Sequence, residues 1–168
     1  MEPPSRHAGT DIIIEDARWR ASVPGTERAI RRALVAVARQ GGPDFTQSPA
    51  PSILLATDRV VKRLNARFRD KNKPTNVLTF EPLSPEHGGD IVLGYETVRR
   101  EADAARRSLK AHLSHLVVHG ALHLAGYDHH HPGEAREMEG IETRTLRSLG
   151  FGDPWQQGNG QMAGSVRI

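Results

Sequence analysis

His119-Gly120-Ala121-Leu122-His123-Leu124-Ala125-Gly126-Tyr127-Asp128-His129 is the stretch on which the reading of this chain turns. On a helix, residues four apart share a face with their β-carbons about 5–6 Å apart, so His119 and His123 can aim two ring nitrogens at one ion. Gly126 supplies the residue with which helices commonly end, because glycine enters the left-handed conformation without steric cost. The chain then turns back and brings His129 within reach. Neutral imidazole binds zinc at roughly 2.0–2.1 Å, and catalytic zinc sites typically combine three protein ligands with an open position. The chain has no cysteine, so thiolates are excluded and a metal must rest on histidine and carboxylate. The expectation is one zinc ion per chain, held by His119, His123 and His129.

Working outward, Ser108 starts this helix, Leu109, Leu113, Leu116, Val117 and Leu124 form its core face, and His112, His115, His119 and His123 run along it at steps of three, four and four. His115, one turn before His119, is a candidate for a catalytic role, either behind the metal ligands or on the substrate; His112 reads as a buried, hydrogen-bonded histidine. His130 and His131 are read as loop residues. A lone helical histidine is usually a surface or satisfied core group, but three around a glycine turn point to metal. Metzincin-type proteases use the same spacing with a glutamate directly after the first histidine. Here that position is Gly120, so the usual general base for attack on a peptide bond is missing.

Upstream, Asp11–Glu15 is a β-branched run suited to a strand, and from Gly25 the residues Ala29, Ile30, Ala33, Leu34 and Val37 give an amphipathic helix that ends at Gly41-Gly42-Pro43. Ser52–Ala56 reads as a second strand, and Asp58 is placed to cap a helix with Val60, Val61, Leu64 and Phe68 as its stripe. Val77–Phe80 and Asp90–Gly94 are a third and fourth strand, close enough in sequence to pair antiparallel. Thr97–Arg107 is helical, and Pro132-Gly133 opens a last helix with Met138, Ile141, Leu146 and Leu149 apolar. This order implies an α+β fold: a single domain with a roughly four-stranded mixed sheet and about five helices, the metal-binding helix packed on the sheet. Residues 1–10 are expected to be a disordered leader, 11–150 the domain and 151–168 a flexible tail.

At 168 residues the chain can bury a core without disulfides. It has no apolar leader or membrane-length run, and lacks cysteine, so a soluble, cytoplasmic protein is expected. A net charge of +3 permits a polyanionic partner without demanding one. The location of the charge says more. Seven basic residues fall in 59–73: Arg59, Lys62, Arg63, Arg67, Arg69, Lys71 and Lys73. The early ones read as a solvated helix face. Arg69, Lys71 and Lys73 leave the helix for a loop, where binding groups tend to lie, and an arginine there can offer paired donors to a phosphate.

Three segments together resemble one family. Arg69-Asp-Lys-Asn-Lys73-Pro-Thr-Asn-Val-Leu-Thr-Phe80, Gly89-Asp90-Ile91 and His119 to His129 are similar to the signature blocks of the YbeY family of bacterial single-strand-specific endoribonucleases, also described as rRNA maturation factors. The resemblance spans roughly residues 60–130, with Thr79 standing where the family commonly has serine. It implies zinc at His119, His123 and His129, an RNA-facing cleft with Arg69 in it, and a part for His115, which matches the family's histidine one turn upstream. It also implies single-stranded RNA and the 16S rRNA precursor as substrates, the ribosome or its small subunit as partner, and a role in 16S rRNA 3′-end maturation and ribosome quality control. Two other readings stay open on the residues alone: a ribosome-assembly RNA-binding factor with a structural zinc, and a metal-dependent hydrolase of a non-nucleic substrate.

Overall fold

A computed structural model describes residues 10–42, 45, 48–69, 75–127, 132–152 and 166–167. Within these the chain runs β1 (Ile12–Ile14), α1 (Ala17–Ser22), α2 (Thr26–Gly41), β2 (Ser52–Ala56), α3 (Asp58–Arg69), β3 (Val77–Phe80), β4 (Asp90–Gly94), α4 (Tyr95–Ala104), α5 (Leu109–Leu124), α6 (Pro132–Ser148) and β5 (Val166–Arg167). The sheet order is β1-β2-β4-β3-β5. β1, β2 and β4 are mutually parallel, and β3 lies antiparallel on β4 with Val77 opposite Leu93 and Phe80 opposite Asp90. The fold is therefore α+β with a mixed sheet, as the element order implies.

Alternation along the strands sorts the helices onto two faces. Ile53, Leu55, Val77, Ile91 and Leu93 point into the main core with α1, α2, α4, α5 and α6. Leu54, Leu78, Phe80 and Val92 point the other way, against Val61 and Leu64 of α3. Burying apolar area at about 25 cal/mol per Å² on both faces of so small a sheet holds α3 and α5 on opposite sides of the same strands.

Three features differ from the sequence expectation. The sixth helix, α1, is too short to show a period; it is anchored by Trp19, fully buried, whose Nε1 donates to the Ala56 carbonyl at 2.9 Å. Asp58 does not cap its own helix. Thr57 Oγ1 accepts from Val60 N at 3.3 Å, while the Asp58 carboxylate accepts from Thr97 N and Thr97 Oγ1 at 2.9 and 2.6 Å in the first turn of α4. In return Glu96 accepts from Asp58 N at 2.7 Å, so two helix N-termini satisfy each other's orphan amides. Phe68, expected in the apolar stripe of α3, is 52 % exposed and meets Phe80 edge-on.

Thr10, placed in the leader by the sequence, is buried. Residues 1–9, 153–165 and 168 lie outside the described residues, and of the expected tail Val166–Arg167 pairs parallel with Leu78–Thr79. Among the described residues no helix is long and apolar enough to cross a membrane.

The helix that carries the histidines is seated by a glycine. A Cβ on Gly120 would lie 3.1 Å from both Cδ1 and Cγ2 of Ile91 on β4, closer than side chains comfortably approach. Gly120→Val is expected to cost about 1–3 kcal/mol of stability by overpacking, read from denaturant unfolding. A valine variant as stable as the parent would show that α5 has slack against the sheet.

Candidate metal centre

Helix α5 is buried almost all the way round, with every residue from Ala111 to His123 inaccessible or nearly so. It therefore carries its histidine stripe into the core rather than along a surface. Ser108 caps its start, accepting from Ala111 N at 3.1 Å. Gly126, at φ 101°, ends it: Gly126 N donates to the His123 carbonyl and Tyr127 N to the Leu122 carbonyl, at 3.0 and 3.1 Å. These are the bonds of a glycine-terminated helix end.

His119 and His123 are 2 % and 6 % exposed, and their Nε2 atoms face each other at 2.9 Å. Two nitrogens bound to one tetrahedral ion at about 2.0–2.1 Å lie roughly 3.3 Å apart, so a few tenths of an ångström of opening would admit a cation. The donor set fits zinc. His129 lies outside the described residues, as do Lys71, Lys73, His130 and His131, and Arg69 is the last residue of α3. The described members of the expected ligand set are thus His119 and His123, and among the described residues no three histidine or carboxylate side chains converge as a metal site.

Behind the pair stands a residue that sequence reasoning missed. Glu142 of α6, with no exposed surface, receives hydrogen bonds from His119 Nδ1 at Oε1 (2.8 Å) and from His115 Nε2 at Oε2 (2.7 Å). His115, 1 % exposed, also accepts from Arg107 Nη1 at its Nδ1 (3.2 Å), so both its ring nitrogens are engaged. Arg106, in the left-handed turn at φ 53° after α4, precedes this arginine. His112 is buried as expected, with Arg107 Nη1 3.5 Å from its Nδ1 and Glu101 Oε1 3.8 Å from its Nε2, the latter beyond hydrogen-bond reach.

The electrostatics follow from this burial. Desolvation pushes the Glu142 carboxyl upward, but the hydrogen bonds from His115 and His119 outweigh it and hold the group at about 2. Burial also pushes His115 below the usual imidazole value, against the opposing pull of Glu142 and with further lowering from Arg107 and His112. An anionic Glu142 and a neutral His115 are the forms this packing selects.

A family model described as Endoribonuclease YbeY matches residues 13–150. The chain is 96 % identical over 168 residues to the Endoribonuclease YbeY of Gluconobacter oxydans (strain 621H), covering 100 % of both. It is 50 % identical over 152 residues to the Endoribonuclease YbeY of Chelativorans sp. (strain BNC1), covering 86 % of this chain and 91 % of the relative. The solution structure of TM1509 from Thermotoga maritima has a similar fold, with a TM-score of 0.52 over 87 % of this chain and 99 % of that one at 22 % identity.

The shifts give a pH dependence with a definite sign. The unfolded chain protonates Glu142 near its ordinary 4.5 and the folded protein only near 2, so this stabilisation is complete above about 4.5 and is lost as pH falls from there toward 2. Below about 6.5 the unfolded chain also binds a proton that buried His115 resists. The metal-free protein is therefore expected to lose thermal stability steadily on acidification from pH 7, followed by circular dichroism. A melting temperature flat from pH 7 to 4 would contradict the assignment.

Proposed function

The chain belongs to the endoribonuclease YbeY family, and from that membership and the geometry above we propose that it is a zinc-dependent, single-strand-specific endoribonuclease. The single observation that carries the metal part is the buried His119–His123 pair, Nε2 to Nε2 at 2.9 Å, on a helix that Gly126 ends in time for a third ligand from the turn. In this reading His119, His123 and His129 hold one ion per chain. When bound, such an ion supplies a means of activating an attacking hydroxyl near neutral pH and of polarising a phosphoryl oxygen.

The rest is work for side chains. Arg69, at the end of α3, stabilises the charge that develops on the phosphorus oxygens as the bond breaks. Lys71 and Lys73, next along the chain, neutralise flanking phosphates and give binding a negative slope against salt. Single strands are preferred because a flexible backbone with splayed bases enters a cleft more readily than a stiff A-form duplex. His115 contributes from behind the metal ligands, since both its ring nitrogens are already committed. At the level of the cell we assign the activity to 16S rRNA 3′-end maturation and ribosome quality control in the cytoplasm, with the small ribosomal subunit as partner.

Two variants test the two halves. His123→Ala is expected to lose its zinc by elemental analysis and, with it, the stabilisation RT ln(1 + [L]/Kd) that binding to the folded state provides. Stoichiometric zinc retained in this variant would remove His123 from the ligand set. Arg69→Ala is expected to keep its zinc and melt within about ±0.5 kcal/mol of the parent, yet to cut single-stranded RNA with kcat reduced on the order of 10²–10³, the usual cost of one electrostatic donor to a transition state. Unchanged kcat with a raised KM would make Arg69 a binding group only, and a parent that holds zinc without cutting RNA would favour a structural ion in an RNA-binding factor.

A further inference from the structure

An imidazole ligates through a nitrogen that carries no proton, and in a neutral ring that nitrogen is chosen by where the other one donates. The buried chain of contacts around Glu142 makes this choice for two histidines at once. Arg107 has donors only, so at 3.2 Å its Nη1 must donate, and His115 Nδ1 must accept. His115 therefore carries its proton on Nε2, which it donates to Glu142 Oε2 at 2.7 Å. A carboxylate accepts only, so at 2.8 Å Glu142 Oε1 takes the Nδ1 proton of His119. What remains on His119 is an Nε2 lone pair directed at His123 Nε2, 2.9 Å away.

We propose that Glu142 is a positioning residue: it fixes the tautomer and ring angle of His119 so that Nε2 is presented to a cation, and it is itself oriented by His115 and, through it, Arg107. This rests on the metal reading of the preceding subsection and adds to it the group that selects the ligating nitrogen. The arrangement is rigid because every member is packed. Glu142 and Thr145 on α6 are fully buried, His115 and His119 on α5 nearly so, and Met138, Ile141 and Leu146 hold α6 in place around them. The two imidazoles occupy separate oxygens of one carboxylate, so rotating the group to favour one breaks the other.

The test is Glu142→Gln, which keeps the volume but replaces one acceptor oxygen by a donor NH₂. The substituted amide can accept from only one of the two rings; the other ring must turn its proton to the far nitrogen or lose its bond. Long-range ¹H–¹⁵N correlation spectra of the zinc-free parent are expected to show His119 protonated on Nδ1 and His115 on Nε2, assigned with single His→Asn variants. In Glu142→Gln at least one ring is expected to leave that form, and the affinity for Zn²⁺, measured by competition with a chromophoric chelator, to fall roughly 10- to 100-fold. Glu142→Asp, which retains two acceptors, is expected to keep the parent tautomers and fall between the two in affinity. The proposal is overturned if the zinc-free parent shows His119 protonated on Nε2, or if Glu142→Gln keeps both the tautomers and the zinc affinity of the parent. A parent with the expected tautomers that takes up no Zn²⁺ would instead overturn the metal reading, while the tautomer comparison decides the part of Glu142 separately.

Discussion

A carboxylate without exposed surface, clamped between two imidazoles, sets the terms for the rest of this molecule. Taking an ion out of water costs several kcal/mol even after relaxation, and Glu142 meets that cost with two short charge-assisted bonds, 2.7 and 2.8 Å, from His115 and His119. The two donors sit one turn apart on α5 and the acceptor on α6, so the helices are fixed in register along their axes as well as in contact. Slippage of either by one residue would strand a buried charge. The hydrophobic contacts around them, Leu116 and Leu122 from one helix with Met138 and Ile141 from the other, are non-directional and would tolerate such a shift. The polar clamp supplies the specificity that the apolar core lacks.

The elements that read cleanly from sequence are those whose period had one face to bury. α2 shows apolar residues at three- and four-residue steps with arginines opposite, and its buried set includes Ala29, Ile30, Ala33, Leu34, Val37 and Ala38. β3 and β4 were legible as a pair because only a short connection separates two β-branched and apolar runs. α1 was not legible, because six residues cannot display a helical period and its one anchor, Trp19, is held by tertiary contacts with Ala56 and Tyr95. Asp58 was read as a local cap because sequence shows only its own helix; in space it serves α4, 39 residues on.

In the site, the His119–His123 pair was legible for the reason that the i, i+4 spacing is a local geometric fact. Glu142 was not, since it comes from 23 residues away and sits on a helix that also carries Glu134, Glu137 and Glu139, a pattern that looks solvated. A signal was nevertheless present. Met138, Ile141, Thr145 and Leu146 mark the buried stripe of α6, and position 142 falls within it, one residue from Ile141 and four from Leu146. A charge at the centre of an apolar stripe must have a buried partner, and the histidine row of α5 offers polar groups at helical spacing to meet it. The same argument applied to His115 shows why its place in a row of four did not reveal its part: position on the helix says which side it faces, but only the neighbours Arg107 and Glu142 say which nitrogens are taken.

The position of this carboxylate also bears on the chemistry proposed for the site. In the protease arrangement that shares the His119–His123 spacing, a glutamate directly follows the first histidine and acts as base on the reacting side. That position cannot be filled here without disturbing the fold, because α5 rests on Ile91 through Gly120, where a Cβ would already be 3.1 Å from two Ile91 carbons. The carboxylate arrives instead from α6 and meets His119 at Nδ1, on the edge of the ring away from Nε2. From there it can raise the basicity of the ligating nitrogen and hold its orientation, but it does not project beyond the histidine pair to where a substrate would lie. Negative charge kept behind the ligands, in a chain whose basic residues gather at 67–73 where α3 ends, is an arrangement suited to an anionic phosphodiester, which a carboxylate in front of the metal ligands would repel.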